Sequence, residues 1–126
     1  MLLTLFGMLL IFLSARLIAA PLQLDNSFNI GTGASSTVND MATDATGAIW
    51  LIGSFNSING VAAPQIAKLS PTGEVDATFN STANLNNPYR IIPLQDGKVL
   101  VAGYSANSNG SYRYRLFRVN ADGNID

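Results

Sequence analysis

This sequence predicts an all-β chain of stacked antiparallel sheets, and three observations predict it. The first is a repeat. Leu24-Asp25-Asn26-Ser27-Phe28 returns as Val75-Asp76-Ala77-Thr78-Phe79, and again as Ile125-Asp126. Gly47, Gly53 and Gly73 return at Gly97, Gly103 and Gly123, each displaced by fifty residues. Self-similarity at a fixed period of this length marks a repeat architecture. The second observation is a series of short apolar runs, each closed by Gly, Pro, Asn or Asp turn residues. The third is that no stretch beyond residue 20 carries a helical amphipathic period.

The first element in the chain stands apart from the repeats. Leu2 to Leu13 is an apolar block, and no charge occurs before Arg16. It is shorter than the about 20 apolar residues of a comfortable membrane span. It suits the core of a secretory signal, cut near Ala19 or Ala20. No Lys or Arg precedes the block, and Leu17 and Ile18 stand where a signal prefers a small residue. An uncleaved anchor helix running from Leu2 to about Ala20 is therefore the alternative. On either reading residues 1–20 form a signal or membrane anchor, residues 21–126 are exported, and the protein is secreted or held at the cell envelope.

The repeat region covers residues 21–126, with repeat one at about 24–74, repeat two at about 75–124 and a third that breaks off. In repeat one the strands are expected at Ser36 to Thr43, Ala48 to Phe55, Pro64 to Leu69 and Val75 to Phe79. The turns between them are Asp44-Ala45-Thr46-Gly47, Asn56-Ser57-Ile58-Asn59-Gly60 and Ser70-Pro71-Thr72-Gly73. Repeat two follows with Tyr89 to Leu94, Lys98 to Tyr104, Tyr112 to Val119 and the turn Asn120-Ala121-Asp122-Gly123. Glycine at the end of a tight turn supplies positive φ without a Cβ penalty.

The second strand of each repeat decides how the sheets are arranged. Ile49-Trp50-Leu51-Ile52 and Val99-Leu100-Val101-Ala102 are apolar on consecutive positions, so both faces of the strand are apolar. A two-layer sandwich with one wet face would alternate instead. Strands apolar on both faces need a sheet on either side, as blades have in a β-propeller. The fold class expected is thus an incomplete propeller-like array of about two four-stranded antiparallel blades. Gly53 and Gly103, which follow these strands, allow a bulge or a close backbone approach.

The joint pattern of Leu24-Asp25-Asn26-Ser27-Phe28, Gly53-Ser54-Phe55, Asn59-Gly60, Asp96-Gly97-Lys98-Val99-Leu100-Val101-Ala102-Gly103 and Asn120-Ala121-Asp122-Gly123-Asn124-Ile125-Asp126 resembles the delta-60 repeat family. That resemblance covers nearly all of 24–126. It implies a propeller-like fold and a bacterial exported or surface protein, and it brings no reaction and no catalytic residues. Thr46 stands where the family has Asp, and Ser105 stands at the place matching Phe55. Two repeats do not close a propeller of about four to eight blades. The expectation is a piece of a longer array, or a truncated product, with open blade faces that further repeats or a partner chain cover.

Composition excludes several function classes. The chain of 126 residues has a formal charge of -1 and only 12% charged residues, against the basic excess of nucleic-acid binders. It contains no Cys and no His. A disulfide framework, a thiolate metal site, a cysteine nucleophile and a Ser-His-Asp triad are therefore impossible. Gly97-Lys98 lacks the remaining residues of a phosphate loop, and Gly31-Thr32-Gly33 lacks a third glycine. Asn80-Ser81-Thr82 and Asn109-Gly110-Ser111 fit the N-glycosylation pattern, which matters only in a eukaryotic secretory host.

Three groups of residues could carry chemistry. Asn120, Asp122, Asn124 and Asp126 alternate around Gly123 as oxygen ligands do in a calcium loop. The matching Ser70 to Asp76 keeps only Glu74 and Asp76 as carboxylates, so a structural turn is the preferred reading and no cofactor is expected. Asp25 and Asp76 each precede a hydroxyl residue by two places, Ser27 and Thr78. A carboxylate so placed caps turn amides; as paired acids the two would serve glycoside hydrolysis. Recurrence in each repeat favours structure, because a catalytic group is needed once. Finally Arg113, Tyr114 and Arg115 lie on one strand, with Arg113 and Arg115 on one face and Tyr112, Tyr114 and Leu116 on the other. They form either a contact strip for an anion or sugar, or a solvated outer strand.

The function expected from the sequence is a non-catalytic exported module serving as scaffold or recognition surface. Its partner would be a protein or glycan, with no nucleic acid and no membrane contact beyond the N-terminal segment. The loops Asn56 to Ala63 and Ser105 to Ser111 are the places for contacts. The alternative is the N-terminal part of a polysaccharide-active enzyme whose site lies in further blades.

Overall fold

The structure, a computed structural model, describes residues 21–81, 83–106 and 108–126. The apolar segment and its expected signal or anchor helix lie outside the described residues. Eight strands run in order: β1 (Val38–Thr43), β2 (Ile49–Gly53), β3 (Ser57–Ile58), β4 (Val61–Ala62), β5 (Ile66–Leu69), β6 (Arg90–Pro93), β7 (Val99–Ala106) and β8 (Tyr112–Val119). Among the described residues there is no helix. The sheets have the orders β1-β2-β5 and β6-β7-β8, with β3-β4 as a separate hairpin, and every pairing is antiparallel. The two apolar runs are the central strands β2 and β7, as their continuous hydrophobicity requires.

Each sheet has three strands where four were expected. The fourth reduces to a single bridge, Leu69↔Val75 in the first repeat and Val119↔Ile125 in the second. In the first repeat the cause is the aspartate that follows. The Asp76 carboxylate accepts from the Thr78 amide at 3.0 Å and its hydroxyl at 2.5 Å, while the Phe79 amide donates to the Asp76 carbonyl at 3.2 Å. This local turn takes the chain off the sheet edge after one residue pair. A second departure is the β3-β4 hairpin, inside a stretch expected to be only a turn. Asn59 and Gly60 take φ of 50° and 78°, the two-residue connection that Asn-Gly forms between antiparallel strands.

The main core lies between the two sheets. Trp50, Ile52 and Ile66 of the first sheet pack with Ile91, Val99, Val101 and Val119 of the second, and Phe79, Ala83 and Leu85 of the connecting segment fill the same layer. Trp50 meets Phe79 edge to face at 5.1 Å, and its indole Nε1 donates to Asp44 Oδ2 at 2.9 Å. The largest side chain of this core is thereby buried with its polar atom satisfied. Polar ties hold the two repeats in register. Asp40 Oδ2 accepts from the Ile91 amide at 3.0 Å, Gln65 Oε1 accepts from the Leu85 amide at 3.0 Å, and Asn39 Nδ2 donates to the Pro88 carbonyl at 2.7 Å.

A smaller core, of Phe55, Ile58, Ala63, Ala67 and Leu69, lies on the other face of the first sheet. Gly53 and Gly103 mark equivalent close approaches. A methyl group at Gly53 would overlap the Thr37 carbonyl, and one at Gly103 the Leu85 carbonyl. The register of β1 against β2 shifts opposite Gly53, between Val38 and Asp40, which is a bulge.

Candidate functional site

The two repeats diverge past the last register they share. In the first, the β2-β5 ladder ends at Ile52↔Ile66. Gln65 has a φ of 65° and Pro64 has no amide to donate, so regular pairing breaks there, with the Gln65 amide donating to the Phe55 carbonyl at 2.9 Å. The segment between folds back, with Phe55 fully buried in the smaller core. In the second, Ser105 replaces Phe55, and Tyr114 and Arg115 replace Pro64 and Gln65. The ladder continues beyond Ala102↔Leu116 through Gly103↔Arg115, Tyr104↔Tyr114, Ser105↔Arg113 and Ala106↔Tyr112. A two-stranded ribbon therefore overhangs the second sheet.

One face of that ribbon is aromatic. Tyr104 packs on Tyr112 at 5.5 Å, nearly perpendicular, and on Tyr114 at 6.2 Å, while Tyr89, just before β6, lies 6.2 Å from Tyr104. Together they line an open cleft of about 360 Å³. These are all four tyrosines of the chain. Their counterparts fifty residues earlier are Asn39, Ser54, Ala62 and Pro64, so the cluster belongs to the second repeat alone. Tyr89, Tyr112 and Tyr114 are exposed, presenting ring faces for stacking and hydroxyls that both donate and accept hydrogen bonds.

Of the sequence-derived strip, Tyr114 lies in the cleft, whereas Arg113 and Arg115 point to the reverse face of the ribbon. Neither arginine has a carboxylate partner among the described residues. The structure does not bring the three onto one surface. Sequence reasoning missed Tyr89 and Tyr104, which come close only through strand pairing. The signal available was that neither residue recurs in the first repeat.

The other candidates are engaged locally. The Asp122 carboxylate accepts from the Asn124 amide and side chain, both at 3.0 Å. Asp126 is held by Arg118 and by Lys98, the latter at 3.1 Å. The Asn124 hydrogen bonds hold the Asp122 carboxyl below its ordinary value, and Lys98 and Arg118 do the same for Asp126. Among the described residues no three carboxylates converge on a common point. Asp25 and Asp76 make the same turn, with Asp25 Oδ1 accepting from the Ser27 amide at 2.9 Å and hydroxyl at 2.6 Å. Both carboxyls are lowered chiefly by these side-chain hydrogen bonds. Low carboxyls capped by their own turns serve as turn locks.

A family model described as a domain of unknown function (DUF5122), a β-propeller, matches residues 45–79 and 94–126, more than half of the chain. The chain belongs to this β-propeller family. The two matched stretches begin in equivalent turns before β2 and β7, so the family's unit coincides with the fifty-residue period. No curated protein and no solved structure matches the chain. The matched stretches hold the central strands β2 and β7 with their turns, and within this chain the tyrosine ribbon occurs in the second unit only.

Proposed function

We propose that this propeller-type repeat module is exported and non-catalytic, and that its tyrosine cleft is a recognition surface for a glycan at the cell envelope or outside the cell. The observation that carries the reading is the confinement of all four tyrosines to one cleft in one repeat. What every repeat shares builds the stack, so a cluster found once is free to serve binding. Tyrosine faces stack on the apolar faces of sugar rings while their hydroxyls reach ring hydroxyls. No group in the cleft is suited to act as a base or nucleophile near neutral pH. Export is supported by the apolar N-terminal segment and by the delta-60 resemblance. Further repeats or a partner chain cover the open blade faces.

The test is binding of the chain to a panel of immobilised polysaccharides. Tyr114→Ala is expected to weaken retention about tenfold or more, since one lost aromatic stack is worth about 1–3 kcal/mol. Arg113→Ala, on the reverse face, is expected to leave it unchanged. Retention lost with Arg113→Ala but kept with Tyr114→Ala would move the site to the basic face. No retention on any polysaccharide would end the glycan reading.

A further inference from the structure

We propose that a second copy of this chain docks head to tail on the first. The far face of β6-β7-β8 in one copy packs on the far face of β1-β2-β5 in the next. The proposal rests on the reading of the chain as a repeat module with two open blade faces, and it names what covers them.

The template is the contact inside the chain, where Ala42, Trp50, Ile52 and Ile66 meet the second sheet. Fifty residues on, these four become Ile92, Leu100, Ala102 and Leu116, which share the far face of the second sheet by register. Ile66 is 1% exposed, whereas its counterpart Leu116 is 69% exposed and Ile92 is 53% exposed. Fifty residues back, Ile91, Val99, Val101 and Val119 become Met41, Ile49, Leu51 and Leu69. These four, with Phe28 as the counterpart of Phe79, line an apolar cleft of about 200 Å³ on the far face of the first sheet. Inside the chain the equivalent socket is filled by Trp50, packed edge to face with Phe79. Among the described residues, one end carries a knob without a socket and the other a socket without a knob.

Charge agrees with this arrangement. At the internal contact Asp40 stands 3.6 Å from Arg90. The counterpart of Asp40 fifty residues on is Arg90 itself. In a head-to-tail contact Arg90 takes the role of Asp40 and faces Asp40 of the next copy, so each Asp40 lies between two arginines. A two-fold pairing of the knob faces would instead oppose Arg90 with Arg90. The contact is heterologous, so it closes into a ring or runs on as a filament. The tyrosines share the knob face with Leu116 but lie past the last register the sheets share, and Tyr89 corresponds to Asn39, which bonds across the internal contact, so the cleft borders this contact.

The experiment is sedimentation velocity on the full chain and two surface variants. Leu116→Glu spoils the knob, and Met41→Glu, at a position 59% exposed, spoils the socket. The wild type is expected as multiples of the protomer at micromolar concentration and each variant as a monomer. An equimolar mixture of the two is expected as a dimer that grows no further, because it contains one sound knob and one sound socket. A monomeric wild type, variants that still self-associate, or a mixture that stays monomeric would each overturn the proposal. Circular dichroism confirms that both variants keep the wild-type fold. The outcome is separable from the recognition reading: Met41→Glu, on the sheet face remote from the tyrosine cleft, is expected to keep polysaccharide retention as a monomer.

Discussion

The two sheets follow one plan and meet opposite fates. In the first, Trp50 and Ile52 are sealed against a neighbouring sheet, and Phe55 draws the following loop back under a two-stranded hairpin. In the second, the counterparts Leu100 and Ala102 are only half-buried, and the strands beyond them run on as a ribbon. Equivalent turns and central strands make the repeats stack. Three replacements, at Phe55, Pro64 and Gln65, turn one loop into a packed cap and the other into a surface bearing aromatic side chains.

The largest expected effect contrasts Trp50 with Leu100. Trp50→Ala removes the centre of the inter-sheet core and is expected to cost about 3–5 kcal/mol. Leu100→Ala, on the half-open face, is expected to cost about 1 kcal/mol. Urea unfolding of both variants under monomeric conditions measures the difference, and equal costs would mean that the two faces are equally covered. Next comes Phe55→Ser, which gives the first repeat the residue of the second. It is expected to cost about 3 kcal/mol and to strip hydrogen-exchange protection from the β3-β4 hairpin while sparing β7 and β8. Uniform loss of protection across both sheets would show that the cap and the stack are one cooperative unit.

A smaller effect is acid sensitivity. Hydrogen bonds from their own turns hold Asp25, Asp76 and Asp122 below the ordinary carboxyl value of 3.8, and Lys98 and Arg118 do so for Asp126. For Asp44, burial pushes upward but bonds from Thr46, Trp50 and Ala48 outweigh it. A lowered folded value means that the unfolded chain takes up protons first as pH falls. The contribution is complete above the ordinary value and is lost as pH drops through the lowered ones. The urea midpoint is expected to hold from neutrality to about pH 4 and to fall below it. Asp76→Asn should flatten that fall, and an unchanged slope would remove the turn locks from the account. Least of all, Lys98→Met, which breaks a partly exposed pair with Asp126, is expected to leave the urea midpoint nearly unchanged.

The sequence by itself determined the repeat, the two central strands, the turns and the close approaches at Gly53 and Gly103. These follow from local chemistry: side-chain alternation, turn dihedrals and the lack of a Cβ. Strand β8 was legible to its ends, because Tyr112 to Val119 is flanked by turn residues on both sides. The expected fourth strand was not, since Val75 to Phe79 reads as a strand until the Asp76 side chain is seen to close its own turn. The tyrosine cleft needed the tertiary structure altogether. Tyr89, Tyr104, Tyr112 and Tyr114 are scattered along 26 residues of chain and become neighbours only when β7 pairs with both β6 and β8. Which apolar face is sealed and which is left open was likewise decided by packing, because Trp50 and Leu100 are both apolar at the same place in the repeat and, among the described residues, only Trp50 has a sheet across from it.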